Sequence, residues 1–322
     1  MLDRVTTDHD LYALVEDFFR NSFATDNELI TEAVRRMLDA GGKRLRPRFT
    51  LLGAAGMGAT DVRSFLPLAA YMELIHVATL IHDDVVDNAD TRRGVNATAV
   101  DFGNRVSVLA GDYLFAWIFK NVTATYAHPI PHILSATLAD ITDGEVLQLR
   151  ALGNLDLTRD EYIDIAAKKT GRLFASSAEC GAYAAGGSAL KVNAVREFGL
   201  AYGIAFQMQD DVLDMTATEA QLGKPVGNDL TEKKMTIPVI AALESGDLEF
   251  RADLERFYAG DDTSPERIAG LIAGIAANGG IERTKAAISE YIERAKSALA
   301  PIGNAPARAE FVAIADALLA AG

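Results

Sequence analysis

Apolar residues recur every three or four positions along most of the chain, and no long run alternates strictly between apolar and polar side chains. That period predicts helices near residues 8–22, 26–40, 47–57, 61–88, 98–126, 130–151, 158–185, 191–216, 235–245, 248–259, 264–277, 280–299 and 305–320. The breaks between them carry start and stop signals. Gly41-Gly42 ends one helix, Thr158 with Glu161 forms a capping box, and Ser264-Pro265 pairs an N-cap with proline at the first helical position. Asn278-Gly279-Gly280 and Pro301-Ile302-Gly303-Asn304 read as turns. There is no Pro/Ser-rich linker, fixed-period repeat or low-complexity segment, so residues 1–322 are expected to form one all-α domain.

The stretch 66–87 departs from the amphipathic pattern. Leu66, Leu68, Tyr71, Met72, Leu74, Ile75, Val77, Leu80, Ile81, Val85 and Val86 leave it apolar on nearly every side. A surface helix carries one apolar stripe, so this one is expected to be central and buried. Yet Glu73, His76, His82, Asp83, Asp84 and Asp87 interrupt it. Ionised groups in a buried helix are costly unless paired or bound to a cation. Asp83 and Asp87 are four residues apart, so their carboxylates share a helix face, and like charges there repel by roughly 0.2–0.5 kcal/mol. Helix stability therefore does not account for them. Clustered carboxylate oxygens suit a hard divalent cation. Mg²⁺ takes one or two of them, keeps waters, and completes its shell with substrate phosphate.

The pattern repeats at Asp210-Asp211-Val212-Leu213-Asp214, again in a long predicted helix, after Gln207 and Gln209. One such cluster reads equally well as a solvated acidic face. Two, with apolar flanks (Leu80-Ile81 before the first, Ile204-Ala205-Phe206 before the second), point to function. If the two helices face each other, the clusters clamp a diphosphate through several magnesium ions.

Charge sharpens this picture. Lys and Arg total 31 against 45 Asp and Glu, a net charge of −14. That balance argues against a nucleic-acid binder, whose footprint is basic. Within so acidic a chain the basic clusters stand out. Lys43, Arg44, Arg46 and Arg48 crowd one loop, and Arg92-Arg93 follow the first acidic cluster. Lys168-Lys169-Thr170-Gly171-Arg172 lies in a later helix, and Gly223-Lys224-Pro225 and Glu232-Lys233-Lys234 follow the second cluster. Arginine forks match phosphate oxygens, and lysine adds point charge. As a set these residues suggest two phosphate sites, one bridged through metal and one held directly by basic side chains. A single cysteine, Cys180, precludes an internal disulfide and suits a reducing cytoplasm. The amino terminus lacks the basic start and apolar run of a signal peptide. No uninterrupted apolar stretch reaches ~18 residues, so no transmembrane segment is expected.

In this order, the motifs resemble those of the trans-isoprenyl diphosphate synthases (polyprenyl synthetases). The chain carries Gly41-Gly42-Lys43-Arg44-Leu45-Arg46-Pro47, the Asp83–Asp87 cluster followed by Arg92-Arg93-Gly94, and Lys169-Thr170-Gly171. It then carries Gln207 through Asp214 and Gly223-Lys224-Pro225-Val226-Gly227-Asn228-Asp229. The residues beyond about 245 carry no motif. The resemblance implies a helical bundle around a central cavity, usually homodimeric. It implies magnesium-dependent, head-to-tail condensation of isopentenyl diphosphate onto an allylic diphosphate, giving an all-trans polyprenyl diphosphate. Asp83, Asp87 and Asp210 would bind a cluster of magnesium ions, three in number, with Asp84, Asp211 and Asp214 in support. Arg92, Lys169, Lys224 and Lys234 would hold the allylic diphosphate, with Lys233 as a neighbouring alternative to Lys234. Lys43, Arg46, His76 and Arg93 would hold isopentenyl diphosphate. Helix geometry agrees for His76: seven residues before Asp83, it lies only about 20° off that face. Thr170 and Gln207 would stabilise the allylic cation.

In the family, bulky residues four and five positions before the first aspartate cluster stop chain growth early. Here those positions are Thr79 and Ala78, both small. Five residues are about 7.5 Å of helix, so a growing tail can pass, which favours a product of about C30–C50. A deeper floor at Ile75, Tyr113, Trp117 or Phe119 would shorten it, and a geranylgeranyl product stays open. Three other functions fit less well. A terpene cyclase is opposed by the second aspartate cluster and the Gly223-Lys224-Pro225 loop. An HD-type phosphohydrolase, suggested by His76 and His82-Asp83, leaves the second cluster unexplained. A non-catalytic partner subunit would lack the aspartate motifs.

Overall fold

The computed structural model describes residues 8–23, 25–92, 94–218, 225–260, 262–303 and 305–320. Its helices are α1 (Asp8–Ser22), α2 (Glu28–Asp39), α3 (Leu45–Gly56), α4 (Leu66–Val86), α5 (Thr98–Phe102), α6 (Asn104–Thr125), α7 (Ile130–Arg150), α8 (Arg159–Ala166), α9 (Arg172–Ala184) and α10 (Ala189–Thr216). They continue with α11 (Asn228–Thr231), α12 (Ile237–Leu243), α13 (Leu248–Ala259), α14 (Pro265–Ala277), α15 (Gly280–Ala298) and α16 (Pro306–Ala320). The only strands among the described residues are β1 (Thr91–Arg92) and β2 (Val95–Asn96), an antiparallel pair. The fold is all-α.

Where the chain departs from its apolar period, a local cause is visible. The expected helix 98–126 is two, because Gly103 has φ 79°, a left-handed backbone that breaks the ladder. The expected helix 158–185 contains a π-helical segment at Ala167–Gly171 between α8 and α9. The stretch 61–88 begins as a 3-10 turn at Val62–Phe65, where the Asp61 carboxylate accepts from the Arg63 N–H at 3.1 Å. The capping box forms as expected. The Thr158 hydroxyl accepts from Glu161 N at 3.3 Å, and the Glu161 carboxylate accepts from Thr158 N at 2.8 Å.

The chain divides into two compact units. The first comprises Met1–Ala136, Leu173–Gly199 and Leu299–Phe311. The second comprises Thr137–Arg172, Leu200–Ala298 and Val312–Gly322. In the first unit α4 is the central element expected from its composition. It packs against α3 and α6, with α1 and α2 also upon it, and Leu68, Met72, Leu74 and Ile75 have no exposed surface. Phe49 gathers Phe174, Phe198 and Phe311, with ring centroids 5.1, 5.6 and 5.6 Å away. In the second unit α12 packs against α8, α14 and α15. Residues Val62–Val86 reach a mean hydropathy of 1.5, long and apolar enough to cross a membrane by length and composition alone. Most of that window (61%) is buried inside the protein, as for a core helix.

Candidate active site

The first acidic cluster stands at the end of α4. Asn88 takes the left-handed conformation (φ 50°), and Ala89 N reaches back to Asp84 O at 2.9 Å, which closes the helix. Asp83 and Asp87 are half-buried on the face shared with His76 and Thr79. Asp84 has no exposure, and its carboxylate accepts from Arg92 Nε at 2.7 Å and Nη2 at 2.5 Å. Arg92 is brought there by the β1–β2 hairpin. Ala78 is fully buried and, five residues from Asp83, lies about 140° around the helix from it. Thr79 is half-buried on the aspartate side, and its hydroxyl donates to His76 O at 2.8 Å. His82 packs edge-on to Phe115 at 5.7 Å with Nε2 at 3.1 Å from Val108 O, which accounts for it without a phosphohydrolase role.

The basic loop of the same unit sorts its four cations into two kinds. Arg44 is 2% exposed. Its guanidinium donates to Glu73 Oε1 at 2.9 Å, to Glu16 Oε1 at 2.8 Å and to Leu38 O at 3.0 Å. Its backbone is left-handed (φ 47°), which costs a non-glycine residue roughly 1–2 kcal/mol. Hydrogen bonds to charged partners contribute about 1.5–3 kcal/mol each, enough to hold that conformation. Arg48 pairs with Glu310 at 3.1 Å. Lys43, in contrast, is exposed, and the half-buried Arg46 lies over the Phe174 ring at 4.7 Å. Two of the four residues expected to hold isopentenyl diphosphate thus lie in this loop, Lys43 exposed and Arg46 half-buried. No side chain caps the amino end of α3, which starts beside them.

The second unit holds a pocket of about 90 Å³. It is lined by Lys169, Gln207, Asp211 and Lys234 from the motifs, together with Gln148, Tyr162 and Asp229. Thr170 joins it through Gln207: its hydroxyl donates to Gln207 Oε1 at 2.7 Å, and Gln207 Nε2 donates to Asp211 Oδ1 at 3.0 Å. The π-helical turn at Ala167–Gly171 presents Lys169 and Thr170, a local geometry often found at functional sites. Gly144 on α7 makes room for that turn. A Cβ there would stand 2.9 Å from Lys168 Cβ and 2.9 Å from Lys169 N. Lys169 donates to Gln148 Oε1 at 2.6 Å and pairs with Glu145.

Asp211 is a buried hub rather than an open ligand. Tyr162 O–H donates to Oδ2 at 2.6 Å, and Ile237 N–H donates to the same oxygen at 3.3 Å. Burial, and then the nearby Asp229 charge, push its carboxyl up to about 7 despite these donors. Burial likewise pushes the Tyr162 phenol well above its ordinary value, so it stays a donor. Asp214 is also buried and accepts from Asp229 N at 3.1 Å, which fixes the start of α11. Asp210 is exposed. Lys233 and Lys234 are placed differently. Lys233 has a left-handed backbone (φ 58°) and donates to Tyr258 O at 2.7 Å, whereas Lys234 lines the pocket. Arg93 and Lys224 lie outside the described residues.

Sequence reasoning assigned no role to Gln148, Tyr162 or Asp229. Asp229 sits in the Gly223–Asp229 motif, so its signal was available. Tyr162 reads as an ordinary apolar position of an amphipathic helix, and only the fold reveals its phenol against a carboxylate. The carboxylates fit a magnesium ion by their chemistry. The donors are all oxygen, and Asp83 with Asp87, or Asp210 alone, supply the one or two carboxylates that Mg²⁺ takes. Among the described residues no three His, Cys, Asp or Glu side chains converge into a ready-made cage. Such a site would complete its shell with water and substrate phosphate.

Comparison with known proteins follows the same lines. The model of the polyprenyl synthetase family matches residues 27–275. A geranylgeranyl diphosphate synthase from Methanosarcina mazei is 37% identical over 300 residues, covering 92% of this chain and 90% of that protein. The crystal structure of a decaprenyl diphosphate synthase from Rhodobacter capsulatus aligns with a TM-score of 0.91 at 36% identity, covering 99% of this chain and 98% of that one. A polyprenyl synthase from Caulobacter crescentus, crystallised with calcium and isoprenyl diphosphate, aligns with a TM-score of 0.92 at 34% identity, covering 99% and 97%. By motif order, fold and similarity along nearly its whole length, the chain belongs to the polyprenyl synthetase family of trans-prenyltransferases.

Proposed function

We propose that this prenyltransferase adds isopentenyl diphosphate repeatedly to an allylic diphosphate and releases an all-trans product of about C30–C50, the length that small residues within one or two helical turns of Asp83 allow. In this reading residues 1–322 act as one catalytic domain, in a homodimer, in the cytoplasm. The observation that carries the reading is the pocket of the second unit, where Lys169, Gln207, Asp211 and Lys234 come together from separate motifs.

Asp83, Asp87 and Asp210 are the residues that would hold magnesium, three ions in all, on the allylic diphosphate, together with the cations Lys169, Lys234 and Lys224. Magnesium bound there supplies Lewis-acid neutralisation of the leaving group. Lys169 exchanges Glu145 and Gln148 for phosphate oxygens as substrate arrives. The Thr170 hydroxyl already gives its proton to Gln207, so its lone pairs are left for positive charge developing on the allylic carbon. Lys43, Arg46, His76 and Arg93 hold isopentenyl diphosphate, whose double bond forms the new carbon–carbon bond. The proton then lost goes to the departed diphosphate, so no protein base is needed. Water must be kept out, since it would trap the cation as an alcohol.

The test is incubation of the purified chain with magnesium, farnesyl diphosphate and radiolabelled isopentenyl diphosphate, with products resolved by length. Products of about C30–C50 are expected, and Thr79→Phe, which projects a ring from the aspartate face, should shorten them. Similarity to the Methanosarcina mazei enzyme favours the competing reading, a geranylgeranyl product, and termination at C20 would establish it. Absence of any elongation would overturn both.

A further inference from the structure

We infer that Arg44, clamped between Glu16 and Glu73, is a positioning residue for the isopentenyl-diphosphate pocket, and that Glu16 in the amino-terminal helix thereby sets the affinity for that substrate. The inference rests on the proposed placement of isopentenyl diphosphate on Lys43, Arg46 and His76.

Glu16 belongs to α1 and precedes the segment 27–275 that matches the family model, so nothing in the motifs marks it. It is 6% exposed, and Glu73 is 2% exposed. One guanidinium joins four parts of the first unit. These are α1 through Glu16, the carbonyl end of α2 through Leu38 O, the loop through Gly41 O at 3.4 Å, and α4 through Glu73. The immediate neighbours of this clamp are the substrate residues. Lys43 precedes Arg44, Arg46 lies in the first turn of α3, and Glu73 stands one helical turn before His76. Moving Arg44 therefore moves two basic side chains relative to the third. The left-handed backbone at Arg44 adds to this, because that conformation is disfavoured for a residue with a β-carbon and the clamp offsets its cost.

A purely stabilising role explains the cluster less well. A buried ion triad gains little over well-packed apolar side chains, so it is weak evidence for stability. A planar fork that reaches two carboxylates on different helices does fix geometry, and a lysine cannot reproduce it. Lys43 is exposed and Arg46 half-buried, whereas Arg44 is buried.

The mild variant Glu16→Gln keeps the size of the side chain and removes its charge. It should raise KM for isopentenyl diphosphate by about 5- to 10-fold while kcat and KM for the allylic diphosphate stay within about twofold, the pattern of a displaced binding group. Arg44→Lys should do the same more strongly. Calorimetric titration of the full-length protein with isopentenyl diphosphate, without magnesium, should show the same loss of affinity independently of turnover. If both variants lower the unfolding temperature but leave KM unchanged, or raise both KM values alike, the cluster is structural and the inference is wrong. Lys43→Ala is the control for the underlying reading. If it raises KM for isopentenyl diphosphate and Glu16→Gln does not, the clamp alone fails. If Lys43→Ala has no effect on that KM, the pocket is elsewhere and both fall.

Discussion

The two aspartate clusters are spelled alike and sit differently. The first lies where α4 ends. Asp83 and Asp87 stay partly exposed there, and Asp84 alone turns inward to Arg92. The second lies inside the last turns of α10, and burial takes two of its three. Asp211 is held by Tyr162, Gln207 and Ile237 N, Asp214 receives the N–H of Asp229, and Asp210 alone is exposed. The first cluster thus leaves two carboxylates partly exposed and buries one, while the second leaves one exposed and buries two. The motif is not a uniform set of ligands. In each copy the residues proposed to hold magnesium are those that keep exposed surface, and the buried ones accept hydrogen bonds from neighbouring elements. The energetic settings differ too. Carboxylates at the carbonyl end of α4 meet the negative pole of the helix, an unfavourable contact of about 0.3–1 kcal/mol each. Asp211 is surrounded by donors instead.

The strongest test of this contrast removes the outward residues. Asp83→Ala and Asp210→Ala should each cut kcat by about 10²–10³-fold, the usual effect of deleting one preorganised electrostatic group. Denaturant unfolding should change by no more than about 0.5 kcal/mol, as for substitutions of side chains that keep exposed surface. Steady-state turnover and urea melts of the same preparations check both halves. Should Asp210→Ala remain active, the division into outward and inward residues would be wrong for the second cluster.

The inward residues should behave in the opposite way, with stability affected first. Asp211→Ala strands the Tyr162 O–H and the Ile237 N–H, and each buried donor left unsatisfied costs about 1–3 kcal/mol. Asp84→Ala strands Arg92, whose side chain is 30% exposed and can turn to water, so its cost should be smaller, about 1 kcal/mol. Urea unfolding of the two variants side by side would show the asymmetry. Equal losses would mean that burial of the partner does not matter, and the comparison would lose its basis.

How much of this was legible beforehand follows from what each feature depends on. The central place of α4 was readable because its apolar residues cover every side, a property of the helix alone. The acidic clusters and the Lys169-Thr170 pair were readable because they are contiguous in sequence. The inward or outward sense of each side chain was not, because it depends on distant partners. Arg44 looks like Arg46 until Glu16 and Glu73, 28 and 29 residues away, claim it. Lys233 looks like Lys234 until a left-handed backbone aims it at Tyr258 O. The π segment was hidden for a different reason: one extra residue in a turn barely disturbs the apolar period, so 158–185 reads as a single helix.

The smallest expected effect has the most specific sign. Asp87 is the C-cap of α4, one turn after Asp83, where both the helix pole and the neighbouring carboxylate oppose a negative charge. Asp87→Asn removes that charge and keeps a side chain of nearly the same shape. In the presence of a chelator the variant should therefore be more stable than the parent by about 0.3–1 kcal/mol, which for a chain of this size is about 0.5–1.5 °C in Tm. Magnesium should reverse the order. A ligand that binds only the folded state stabilises by mass action, and the variant, with one carboxylate fewer, binds it more weakly. Scanning calorimetry with and without magnesium reads both signs at once. A variant less stable than the parent in chelator would mean that Asp87 is held by its packing. The first cluster would then be built like the second, with two of its three carboxylates committed to the frame.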